Sequence, residues 1–64
     1  MKVEFYGKSN QDVLLKMTKF LDDLEKKYEQ LNIFATVEGT DILRVDETTS
    51  YGYLYYELHR YIDY

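Results

Sequence analysis

Apolar and polar residues alternate from Met1 to Tyr6, with Val3 and Phe5 on one side and Lys2, Glu4 and Tyr6 on the other. This is the two-residue period of a half-buried strand. Gly7-Lys8-Ser9-Asn10 then turns the chain, with Ser9 or Asn10 able to cap a helix and Gln11 and Asp12 as its polar first turn. From Asn10 to Leu31 the period changes: Leu14, Met17, Leu21, Leu24, Tyr28 and Leu31 recur at alternating intervals of three and four. Val13 and Phe20 widen this helical stripe, and Asp12/Lys16, Asp22/Lys26 and Asp23/Lys27 form i, i+4 pairs on the solvated side. The spacing also suits a coiled-coil seam, but the widened stripe fits packing against the chain's own sheet better.

Ile33–Glu38 and Asp41–Asp46 read as two strands joined by Gly39-Thr40, where glycine in the first central position suits a type II′ hairpin. That turn pairs Val37 with Ile42 and Ala35 with Arg44. It sets Phe34, Thr36, Leu43 and Val45 on one face and Ile33, Ala35, Val37, Ile42 and Arg44 on the other. Residues 51–64 then decide the architecture. As a helix they group Tyr51, Leu54, Tyr55, Leu58 and Ile62; as a strand paired through Asp46 and Tyr51 they turn Leu54, Tyr56 and Leu58 toward the helix. The strand also sends Tyr51, Tyr53 and Tyr55 to the side of Ile42 and Arg44, and tyrosine's preference for strands supports it. The expected fold is therefore a single α+β domain over residues 1–64, one long helix on one face of a mainly antiparallel sheet of three or four strands. Its favoured order is β-α-β-β-β, with β-α-β-β-α as the alternative.

Composition sharpens this pattern. Six of the last fourteen residues are tyrosine, Tyr51, Tyr53, Tyr55, Tyr56, Tyr61 and Tyr64, against Tyr6 and Tyr28 before them. Tyrosine combines stiff contact area with a polar tip, as contact surfaces require. The net charge of −4 is equally lopsided: residues 1–37 carry six acids and six lysines, whereas residues 38–64 carry six acids against Arg44 and Arg60. An acidic surface repels phosphate backbones and attracts basic proteins, which argues against nucleic acid as the ligand even though stacked tyrosines could otherwise hold single-stranded bases.

A chain of 64 residues hides only about 60% of the surface its unfolded form exposes, too little for a deep catalytic cleft. With no cysteine, disulfides, thiolate catalysis and cysteine-bound zinc are excluded. The N-terminus lacks the plan of a signal peptide and no run is long enough to span a bilayer, so a cytoplasmic location without membrane attachment is expected. Gly7-Lys8-Ser9 resembles the end of a phosphate-binding P-loop, but Lys2 stands where the first glycine is required. His59, two residues after Glu57, has the makings of a general base oriented by a carboxylate, yet no nucleophile or cofactor motif accompanies it. Glu38 and Asp41 would face each other across the hairpin turn, but two carboxylates are too few for a calcium or magnesium site. No catalytic residue, cofactor or metal is assigned.

These features point to an acidic binding module that docks on a basic, nucleic-acid-handling protein and inhibits it. By composition it is of the kind that phages and mobile elements direct against host or defence proteins. Its docking residues would be Tyr51, Tyr53, Tyr55, Ile42 and Arg44, rimmed by Glu38, Asp41 and Glu57. The alternative is a structural or regulatory homodimer that closes the same face by twofold symmetry.

Overall fold

A computed structural model describes residues 1–61; Ile62, Asp63 and Tyr64, which include the last apolar position of the helical alternative and the last tyrosine, lie outside the described residues. The elements are β1 (Lys2–Gly7), α1 (Asn10–Glu29), β2 (Ile33–Arg44) and β3 (Ser50–Arg60). The strands form one antiparallel sheet in the order β1-β3-β2, with the helix on one face, so the α+β class stands and the tyrosine segment is a strand.

The local chemistry explains where the helix begins and ends. Ser9 is extended (φ −150°, ψ 165°) and its hydroxyl accepts from the amide of Asp12 at 3.1 Å, while the Asp12 carboxylate accepts from the Lys8 amide at 3.1 Å. Such a cap is worth about 1 kcal/mol. Asp12–Lys16 and Asp22–Lys26 close at 3.6 and 3.1 Å on the solvated side. Beyond the helix, Asn32 adopts φ 55°, the left-handed conformation asparagine tolerates, and its carbonyl accepts from the Tyr61 amide at 2.8 Å.

Val13, Met17 and Leu54 are the buried apolar core, with Val3, Phe5, Phe20, Leu21, Ile42 and Tyr56 partly buried around them. The helix is rotated so that Val13 and Phe20, rather than Leu14, lead its inner face, and Leu14 stays half exposed. Phe20 lies edge-on to Phe5 and to Tyr56, at centroid distances of 5.7 and 5.6 Å. At the foot of the sheet the buried Ser50 hydroxyl donates to Asn10 Oδ1 at 2.7 Å, fastening the start of β3 to the start of α1.

The expected hairpin at Gly39-Thr40 is not formed. Ile33–Arg44 runs on as one strand, and β3 is long enough to pair with both halves, Thr36 with Glu57 and Asp41 with Tyr53. Glu38 is the extra residue of a bulge between Val37 and Gly39. No glycine here has positive φ, which a type II′ turn would demand of Gly39. A turn and a bulge both shift the alternation by one residue, so Ile33, Ala35, Val37 and Ile42 still share a face.

That face is the opposite of the one expected. The loop to β3 closes early: the amides of Val45 and Asp46 both donate to the Thr49 carbonyl, at 3.0 and 3.3 Å. The Asp46 carboxylate accepts from the Thr48 amide and hydroxyl at 2.8 and 3.0 Å, bonds that hold its pKa below the usual carboxylate value. Arg44 therefore pairs with Ser50 and Ile42 with Gly52, an odd offset from the expected register. An odd offset turns every side chain over. Ile33, Ala35, Val37 and Ile42 lie on the helix side with Leu54, Tyr56 and Leu58, while Phe34, Thr36 and Leu43 join the outer face.

Two glycine substitutions separate this arrangement from a hairpin. A Cβ on Gly52 would lie 2.5 Å from Val13 Cγ1 and 3.2 Å from Met17 Cε, whereas one on Gly39 would meet nothing within 4 Å. Gly52→Ala should cost about 1–3 kcal/mol in urea unfolding, and Gly39→Val should be close to neutral. A larger loss from Gly39→Val than from Gly52→Ala would indicate a turn at Gly39.

Candidate functional site

The outer face is built by strand parity. It carries Lys2, Glu4 and Tyr6 from β1, Tyr51, Tyr53, Tyr55, Glu57 and His59 from β3, and Phe34, Thr36, Asp41 and Leu43 from β2. The bulge residue Glu38 also reaches this side, where its carboxylate accepts from the Thr36 hydroxyl at 2.9 Å. Four carboxylates, Glu4, Glu38, Asp41 and Glu57, share the face with a single lysine, Lys2.

The rings form two groups. Tyr6, Tyr51, Tyr53 and Tyr55 run along the lower sheet with successive centroids 5.2, 6.3 and 5.6 Å apart. Lys2 lies 5.8 Å from the Tyr53 centroid and 5.5 Å from that of Tyr55 while pairing with Glu4 at 3.2 Å. Its hydrogen bond to Glu4 raises its pKa, and desolvation followed by the charge of Glu4 pushes the Tyr51 phenol upward. These tyrosines present phenol hydroxyls that can both donate and accept.

At the upper end Phe34 stacks on His59 (5.2 Å, 28°) and packs against Tyr61 at 4.7 Å. Between the two aromatic groups, Thr36 Oγ1 lies 2.8 Å from His59 Nε2, and Glu57 Oε2 lies 3.9 Å from the same nitrogen. On the helix side, a groove of about 440 Å³ lies between α1 and β2, with Leu21, Ile33, Ala35 and Val37 at its base and Glu25 and Glu29 at its rim.

Of the residues singled out in the sequence, Tyr51, Tyr53, Tyr55, Glu38, Asp41 and Glu57 lie together on the outer face. Ile42 and Arg44 do not. Ile42 packs against the core on the helix side, and Arg44 falls on that side too, its guanidinium donating to the Glu47 carbonyl; the cation near the Tyr53 ring is Lys2. Glu38 and Asp41 do not face each other across a turn, and Glu38 gathers with Glu57 and His59. Tyr6, Phe34 and Leu43 were missed as members of the face. Alternation in β1 already placed Tyr6 opposite Val3 and Phe5, and pairing that strand with the tyrosine segment would have brought it to Tyr51.

If these tyrosines form a contact surface rather than a core, removing them should leave the fold standing. Tyr53→Ala/Tyr55→Ala is expected to lower stability by about 1 kcal/mol or less, against about 2–5 kcal/mol for Leu54→Ala, in matched thermal and urea unfolding. Equal losses would make the outer tyrosines structural.

No family model, curated protein or solved structure matches this chain, so the chemistry of the outer face is the guide to its function.

Proposed function

We propose that this chain is a protein-binding module that docks its acidic, tyrosine-lined sheet face on a basic surface of a larger protein. The observation that carries this reading is the outer face itself: a run of tyrosines beside Leu43, a second aromatic group around Phe34, four carboxylates against one lysine among the described residues, and no element of the described chain covering it. The tyrosines offer contact area at low entropic cost, and the carboxylates steer the approach toward a positive surface. A nucleic-acid-handling protein suits the requirement, because its phosphate-binding surface is an extended array of lysine and arginine. Occupying that surface would inhibit it, the task a phage or mobile element would assign to such a module against a host or defence protein.

β3 has 11 residues and rises about 36 Å at roughly 3.3 Å per residue; three strands at about 4.8 Å spacing give a flat footprint on the order of 500 Å². That is toward the small end of specific interfaces, so binding should be salt-sensitive and dominated by a few rings. The small buried core is the observation that favours a homodimer. Apposing two copies of this face, however, would set four carboxylates against four, and like-charge contacts of this kind are costly.

Capture from a lysate on the immobilised chain tests the proposal. The expected result is a basic protein retained at about 50 mM salt, released by about 0.3 M salt, and lost with Tyr53→Ala/Tyr55→Ala. Purified, that protein should lose its nucleic-acid binding when this chain is added. A capture profile unchanged by the double variant would contradict the docking face, and a sedimentation mass of twice the chain at about 10 μM would favour the homodimer.

A further inference from the structure

We propose that Glu38, Glu57 and His59 form a binding site for a divalent transition metal of the zinc class. One carboxylate oxygen from each glutamate and one imidazole nitrogen lie within 4.8 Å of one another, and His59 Nε2 is 3.9 Å from Glu57 Oε2. Donors around a tetrahedral zinc sit about 3.3–3.5 Å apart, given bonds of about 2.0–2.2 Å, so adjustment of the two flexible glutamates closes the set.

Two features of the fold bring these donors together. Glu57 and His59 are two residues apart on β3 and so project from the same face. Glu38 arrives through the bulge, which adds a residue to β2 opposite this point and re-aims its side chain toward the same spot. The imidazole plane is held by stacking on Phe34, and Thr36 sits behind both classes of donor. Its hydroxyl donates to Glu38 Oε1 at 2.9 Å and lies 2.8 Å from His59 Nε2, the contact expected when that nitrogen carries a proton. Metal binding at Nε2 displaces the Thr36 hydroxyl from that nitrogen, and the Thr36 hydrogen bond to Glu38 remains to orient the carboxylate.

The imidazole distinguishes this site from a patch of surface acids. Carboxylates alone accept calcium or magnesium, whereas a nitrogen donor among them shifts preference to zinc, nickel and copper. Three protein donors leave a coordination position open to water or to a donor from a bound protein. The site stands whether or not the face docks on a basic partner, since its evidence is the donor geometry alone.

Calorimetric titration of zinc chloride into the full chain in a non-chelating buffer near pH 7.5 tests it, with the His59 ring resonances followed by NMR. The expected result is one saturable site, with affinity falling at least tenfold in His59→Ala and in Glu57→Gln and unchanged in Asp23→Asn. A hundredfold excess of magnesium should not displace the zinc. His59→Gln, which retains a hydrogen-bonding side chain beside Thr36, replaces the alanine variant if that one melts early. Absence of saturable binding, equal affinity without the imidazole, or displacement by magnesium would overturn the assignment. Lysate capture in the presence of EDTA keeps this outcome separate from that of the docking face.

Discussion

Val13 presses onto Gly52, and the rest of the molecule follows from that contact. Because position 52 has no side chain, α1 can lie close enough to β3 for Val13, Met17 and Leu54 to exclude water together. A single helix can shield only one face of a three-stranded sheet. Gly52 fixes which face that is, and with the alternation of β3 it fixes where every odd-numbered tyrosine from 51 to 55 must point. The tyrosine surface is thus the far side of the core.

A core of three buried apolar side chains among the described residues is small even for a domain of this size. The partly buried ring of Phe5, Phe20, Leu21, Ile42 and Tyr56 must supply much of the remaining hydrophobic stabilisation, helped by the Ser9 cap and the Ser50–Asn10 hydrogen bond. Substitutions inside this set should therefore be felt more sharply than those on the outer face. The same economy leaves rings and acids there free to meet another molecule. The bulge at Glu38 contributes to both sides of the sheet: it keeps Val37 and Ile42 on the helix side and gathers Glu38, Glu57 and His59 on the other. It also interrupts the outer edge of β2, a twelve-residue strand with no neighbour on that side, and so limits indiscriminate strand pairing.

Much of this was legible in the sequence where the signal is local. The alternation of β1, the helical stripe of α1 and the strand preference of the tyrosine segment each depend on neighbouring residues, and each appears in the structure. The division of the tyrosine segment, with Leu54 and Tyr56 inward and Tyr51, Tyr53 and Tyr55 outward, also appears, because it needs only the alternation and the burial of Leu54. What failed was long-range. Gly39-Thr40 between alternating residues has the local appearance of a hairpin turn, and only the presence of an eleven-residue partner strand makes a bulge the better use of its backbone groups. The hydrogen bonds of Asp46 to Thr48 shorten β2 and reset its register, exchanging the faces of Ile42 and Phe34. The spacing of Glu57 and His59 is visible in the sequence, but Glu38 joins them from another strand through the bulge, so no spacing could announce its place beside them.

The central claim is that β2 runs unbroken past the bulge and pairs with β3 on both sides of it, the register shifting by one residue at Glu38, which sets the composition of the outer face. Cross-strand NOEs in a NOESY spectrum of the labelled chain test this directly. The account requires contacts between Ile42 and Gly52 and between Ala35 and Leu58, with none across a turn from Val37 to Ile42. A Val37–Ile42 cross-strand contact with Ile42–Gly52 absent would restore the hairpin, turn β2 over and dismantle both the outer face and the Glu38–Glu57–His59 cluster as described.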